Sequence, residues 1–336
     1  EKIRWSLDKL VTKEKISKEE GDVIFSRITP VVDLNDAVKD AELVIEVVPE
    51  IMDLKKQVYA ELDKAAKPEV IFASNTSTLP ITEIASTTSR PDKFIGIHFF
   101  NPPQLMKLVE VIPGEKTSEE ITNLTQEFVR SVNKQAVLCR KDVPGFIINR
   151  LFIPMVHEAC YLQDRTGASL EEIDSAVKFK LGFPMGIFEL ADFTGMDVIH
   201  KATVEMHLRD KKVINPHKKV EKMFDAKKLG QKSGEGYYKY SDDKYERVEL
   251  SEELAQKCNP IQLVANILNN AAWLITNGAS DVDEIEKAAK LGLGLRKPLF
   301  ETAKEIGIKN IVDELNNLAQ EHGEFYKPDP LLESMI

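Results

Sequence analysis

Three cysteines in 336 residues, Cys139, Cys160 and Cys258, stand far apart with no CxxC or paired spacing. That excludes a disulfide framework and a thiolate metal site, and they read as reduced structural thiols of a reducing compartment. Long apolar runs are also missing. None approaches the ~20 residues that cross a bilayer, and the N-terminus lacks the charged-then-apolar order of a signal peptide. No membrane span is expected, and a cytoplasmic location is. Basic residues do not predominate either, with 45 Lys and Arg against 55 Asp and Glu and a net charge of −10. This argues against nonspecific nucleic-acid binding, though not against a local basic patch for a phosphorylated substrate. His157 and Glu158 open HEACY, which has no second histidine to complete the zinc-binding HExxH, so no metal is expected. A GxGxxG dinucleotide fingerprint is absent too, because Gly234-Glu235-Gly236 and Gly292-Leu293-Gly294 both lack the third glycine.

What is present describes a soluble globular chain long enough for two or three domains. Apolar runs at 42–48, 70–74, 94–99, 108–112 and 136–139 read as strands. Between them 52–66, with Leu54, Val58 and Leu62 on one face, and 118–132 read as helices. This alternation predicts a parallel sheet with helices on both faces, a Rossmann-like α/β domain over 1–142. Yet residues 1–10 already form an amphipathic helix pattern. The reading is therefore that the opening βαβ unit, with its phosphate loop and ribose-binding acid, is missing from the chain.

From Val143 long helical patterns take over, and the sequence repeats at an offset of 112. Ile173, Leu181, Gly182, Phe188, Glu189 and Gly195 match Ile285, Leu293, Gly294, Phe300, Glu301 and Gly307. So long a period predicts domain duplication rather than a solenoid. An all-α half of two tandem domains is expected, copy 1 over 143–240 and copy 2 over 257–336, divided at the charged segment 241–256. Copy 1 opens PGFIINR with Asn149 near the helix start, whereas copy 2 opens NPIQLVAN with Pro260 near that point.

Chemistry concentrates between Ser74 and Val111. His98 ends the run FIGIHF and Glu110 centres LVEVI, and both runs read as buried parallel strands. A carboxylate beside an imidazole fixes its tautomer and stabilises its protonated form, which suits His98 to general-base work. A core histidine bonded to a core glutamate is the alternative on these residues alone. Ser77 and Asn149 read equally well as helix caps, Asn101 as a turn residue, and Lys55 as part of a solvated helix face.

HFFNPPQLMKLVEV, with SNTSTLPI before it and DVPGFIINR, VIEVVPE and LGQKSGEGYYKY elsewhere, resembles the (S)-3-hydroxyacyl-CoA dehydrogenase family of fatty-acid β-oxidation over nearly the whole chain. The resemblance implies NAD-dependent oxidation of a 3-hydroxyacyl-CoA to the 3-ketoacyl-CoA. On it, His98 is the base, Glu110 its partner, and Ser77 and Asn149 hydrogen-bond the reacting oxygen or the thioester carbonyl. It also places Glu50, Lys55, Asn101 and Lys232 at the NAD cofactor. Lys13, Lys15 and Lys18 are candidates for the phosphates of coenzyme A. Tandem helical copies resemble the long members joined to an enoyl-CoA hydratase, so a fused or associated hydratase is an expected partner, and a homodimer is open. A hydroxy-acid dehydrogenase without CoA and a non-catalytic homologue are the competing readings.

Overall fold

The computed structural model describes residues 1–241 and 244–336. The dividing segment 241–256 thus includes Asp242 and Asp243, which lie outside the described residues. Three helices come before any strand: α1 (Lys2–Thr12), α2 (Lys18–Ser26) and α3 (Leu34–Val38). Ser17 and Glu20 start α2 with a reciprocal cap, each side chain bonding the other's backbone N–H.

Strands and helices then alternate: β1 (Leu43–Glu46), α4 (Met52–Ala65), β2 (Ile71–Ser74), α5 (Ile81–Ala85), β3 (Phe94–Phe99), β4 (Leu108–Pro113), α6 (Glu119–Ser131) and β5 (Gln135–Leu138). The five strands form one sheet in sequence order. Side chains alternate between its faces. Phe94, Leu108 and Ile112 join the large core shared with the helical half. Ile95, Ile97, Val109 and Val111 face a second core closed by residues of α6. His98 and Glu110, by parity, stand on the first face.

The sheet is mixed, which corrects the parallel expectation. β1, β2 and β3 run together, β3 and β4 are antiparallel, and β5 follows β4. Only 100–107 separates β3 from β4. A parallel return needs a crossover of about a dozen residues or more, so a link this short imposes the antiparallel turn.

The helical half contains α7 (Ile148–Thr166), α8 (Leu170–Lys180), α9 (Ile187–Thr194), α10 (Met196–Arg209) and α11 (Lys218–Asp225). A small hairpin, β6 (Lys239–Ser241) and β7 (Lys244–Glu246), and α12 (Glu252–Ala255) lead to a second set. This comprises α13 (Ile261–Thr276), α14 (Val282–Ala288) continued by a π-turn (Ala289–Leu293), α15 (Leu299–Ile306), α16 (Ile308–His322) and α17 (Pro330–Ser334). An offset of 112 carries the bounds of α9 onto those of α15 and the start of α10 onto that of α16. Gly182 and Gly294 share a left-handed φ (76° and 70°), where a side chain would be strained. The two sets pack through α7 and α13, where the buried Arg150 guanidinium lies 3.3 Å from the Trp273 ring centroid. The second set also grips the sheet edge: Leu138 N–H donates to Glu284 Oε2 (2.8 Å) and Arg140 N–H to the Ala279 carbonyl (2.7 Å). Among the described residues no helix is long and apolar enough to cross a membrane.

Candidate active site

Antiparallel pairing places His98 directly opposite Glu110. Their side chains meet, His98 Nδ1 to Glu110 Oε2 at 2.7 Å, with His98 5% exposed and Glu110 fully buried. The other carboxylate oxygen, Oε1, accepts the N–H groups of Ile147 (3.0 Å) and Ile148 (2.9 Å) at the start of α7. The preceding Pro-Gly-Phe turn aims those donors, with Gly145 and Phe146 both left-handed (φ 78° and 50°). Such a φ is unusual for a bulky residue and marks a backbone held by its surroundings. Glu110 is thus fixed from two sides, by the imidazole and by a helix N-terminus whose partial positive charge suits a carboxylate. Phe100 and Phe146 flank the imidazole, ring centroids 4.4 and 6.1 Å away.

Ser77 and Asn149 come together beside this pair. Asn149 Nδ2 donates to the Ser77 carbonyl at 3.0 Å, tying α7 to the loop after β2. Asn149 is the second residue of α7 and caps nothing with that amide. Ser77 does not cap α5 either; Thr76 holds this loop, its hydroxyl accepting from Leu79 N–H (2.8 Å). Glu50 anchors the same loop, its Oε1 accepting from the Thr76 hydroxyl (2.6 Å), Ser77 N–H (2.9 Å) and Thr78 N–H (3.2 Å).

Lys55 is not on a solvated face. It is 1% exposed, with its amine 2.8 Å from Glu46 and 3.4 Å from Glu50. Glu46, at the end of β1, also accepts from the Ser74 hydroxyl (2.8 Å) and Val48 N–H (2.6 Å). Sequence reasoning missed this Glu46–Lys55–Glu50 network, although an acid inside the run VIEVV was the available signal. Asn75 was missed as well; its Oδ1 accepts from Phe99 N–H at 2.9 Å and joins the ends of β2 and β3. Asn101 is exposed just beyond β3. Lys232 lies in the 3₁₀ turn Gln231–Ser233 and pairs with Asp197 of α10, not with the His98 cluster. Lys13, Lys15 and Lys18 are exposed around the α1–α2 connection.

The carboxyl ends of β1, β2 and β3 therefore converge on Glu50, Asn75, Ser77 and Asn101, the edge where open α/β sheets bind nucleotides. Val47 and Ile51, 70% and 56% exposed, add apolar surface there. This mixture of polar anchors and apolar surface fits the nicotinamide and ribose of a dinucleotide. Cys139, Cys160 and Cys258 are buried free thiols, and burial raises the Cys160 thiol to about 11. Among the described residues no three His, Cys, Asp or Glu are grouped to hold a metal.

A sheet of this order with polar anchors at its nucleotide edge and a helical half packed on one face is the architecture of an NAD-dependent oxidoreductase. The chain belongs to the 3-hydroxyacyl-CoA dehydrogenase family: the NAD-binding domain of that family matches residues 1–143, and its C-terminal domain matches 145–240 and 262–336. The mitochondrial hydroxyacyl-coenzyme A dehydrogenase of Rattus norvegicus is 41% identical over 239 residues, covering 70% of this chain and 76% of that protein. A 3-hydroxybutyryl-CoA dehydrogenase of Clostridioides difficile is 42% identical, covering 70% and 84%. The crystal structure of 3-hydroxybutyryl-CoA dehydrogenase from Escherichia coli K12 superposes with a TM-score of 0.85 at 27% identity, over 99% of this chain and 89% of that one.

Proposed function

We propose that the chain oxidises (S)-3-hydroxyacyl-CoA to 3-ketoacyl-CoA with NAD, and that His98, Glu110, Ser77 and Asn149 carry the reaction. The observation behind this is the continuous chain from His98 through Glu110 to the first N–H groups of α7. With Nδ1–H committed to the carboxylate, the lone pair on Nε2 is free to accept the hydroxyl proton of carbon 3. Glu110 stabilises the imidazolium that results. NAD, when bound, supplies the acceptor for the hydride leaving carbon 3. Ser77 and Asn149 would hydrogen-bond the substrate oxygens, the Asn149 amide being held in place by the Ser77 carbonyl. Glu50, Asn101 and Lys232 are assigned to the cofactor, and Lys55 acts by holding Glu50. The exposed Lys13, Lys15 and Lys18 are assigned to the phosphates of CoA.

We also read the two helical sets, 143–240 and 257–336, as a tandem duplication behind a nucleotide domain at 1–142. Their common offset of 112 in sequence and in helix bounds supports this.

The test is NADH oxidation driven by acetoacetyl-CoA in the wild type and in His98→Gln. Loss of a general base predicts a drop in kcat of about 10³-fold with little change in KM. A variant that keeps wild-type turnover would remove His98 from the mechanism. A folded, NADH-binding wild type with no turnover would remove the acyl-CoA substrate.

A further inference from the structure

We propose that Gly292, in the π-turn of the second helical set, is a positioning residue for the His98–Glu110 pair. The inference rests on the function proposed above and adds a dependence on the second helical set. Gly292 does not adopt a left-handed φ, so what it supplies is closeness rather than backbone freedom. A Cβ built on it would stand 2.8 Å from Leu108 Cδ2, 2.9 Å from Ile148 Cδ1 and 3.0 Å from Ile148 Cγ1. Both neighbours adjoin Glu110. Leu108 lies two residues before it on β4 and on the same face, and Ile148 donates its N–H to Glu110 Oε1.

The helix that carries the π-turn is pinned to the sheet edge. Besides Glu284 on Leu138 N–H, Lys287 donates to the Ala136 carbonyl, Arg140 pairs with Asp281, and Lys141 Nζ reaches the Asn277 carbonyl at 2.5 Å. Bulk added at 292 is therefore transmitted to Leu108 and Ile148, and through them to the carboxylate that orients His98. The first helical set has no such device: 112 residues earlier stands Lys180, exposed at the end of the regular helix α8. Single π-turns inside helices are often found at functional sites, and here the turn brings Gly292 close against Leu108 and Ile148.

Gly292→Ala and Gly292→Val in the full chain test this, beside His98→Gln. The expected result is a kcat lowered about 10-fold for Ala and about 100-fold for Val, with KM for NADH and acetoacetyl-CoA within about twofold of wild type. The ¹⁵N imidazole resonances of His98 should move in both variants. Ile148→Val in the Gly292→Ala background removes the Cδ1 contact while leaving that of Leu108 Cδ2, and should restore part of the lost kcat, which keeps the test available should Gly292→Val not fold. Folded Gly292 variants with unchanged kcat and unmoved His98 resonances would overturn the proposal. So would a loss of melting temperature alone, with kcat intact on the folded protein. If His98→Gln retains turnover, the proposed function falls instead, and the His98 resonances still report whether Gly292 positions the imidazole.

Discussion

The two helical sets share their joints and differ where they meet the sheet. In the first, His157 Nδ1 accepts the N–H of His217, whose own Nδ1 accepts from Lys219 N–H to start α11. In the second, 112 residues on, Asn269 Oδ1 accepts the N–H of Asp329, whose carboxylate accepts from Leu331 N–H to start α17. Asp174 receives two N–H groups at the start of α9, and Glu286 receives two at the start of α15. Different side chains thus close the same backbone joints. At the sheet the sets diverge: the first supplies Asn149 and the second Ile261 at the equivalent place, while Gly292 of the second replaces Lys180 of the first. The joints recur in both sets, whereas the side-chain amide at this place occurs in one only.

The sharpest way to break this symmetry is a pair of substitutions at the equivalent positions. Asn149→Ala removes a positioned hydrogen-bond donor and should lower kcat with acetoacetyl-CoA by about 100-fold. Ile261→Asn, which gives the second set the same side chain, should leave kcat within about twofold. Loss of activity in both, on folded protein, would mean that the second set also reaches the substrate.

A smaller effect compares the two carboxylate joints. Asp174 is buried and takes a third donor, the Tyr238 hydroxyl at 2.9 Å. Burial pushes its carboxyl up to about 8 against the pull of those donors. Glu286 is half-buried. Replacing Asp174 by Ala strands three buried donors and should cost about 3 kcal/mol, against about 1 kcal/mol for Glu286→Ala. Urea unfolding measures both, and equal losses would refute burial as the source of the difference.

Much of this was legible beforehand, for reasons that also explain what was not. All five strands appear as short apolar runs because a sheet covered on both faces needs apolar residues throughout. His98 and Glu110 stand out as polar residues inside such runs. The direction of β4 was misread although the short 100–107 link carried the answer. Lys55 was ambiguous, since a lysine facing solvent and one buried between Glu46 and Glu50 have the same helical spacing. Gly292 gives no local signal at all, because its role depends on Leu108 and Ile148, which lie far away in sequence.

The mildest change is one the second set already contains. Thr203 donates its hydroxyl to the Ile199 carbonyl (2.7 Å), so it accepts from His157 Nε2–H (2.8 Å) while Nδ1 takes the His217 N–H (2.9 Å). Both nitrogens are committed, and a second proton has no place on Nδ1. Burial, with the imidazoles of His217, His200 and His207 nearby, pushes the imidazole down to about 3. An unfolded chain protonates it near pH 6.5. Between those values the unfolded state binds a proton that the folded state does not, so stability falls as pH drops below about 6.5. His157→Asn copies Asn269 and keeps an acceptor for the His217 N–H without a titrating group. Wild-type stability should therefore drop about 2 kcal/mol more than that of the variant between about pH 7 and about pH 5. Unfolding curves that stay parallel across this range would show that His157 takes up a proton without leaving the fold.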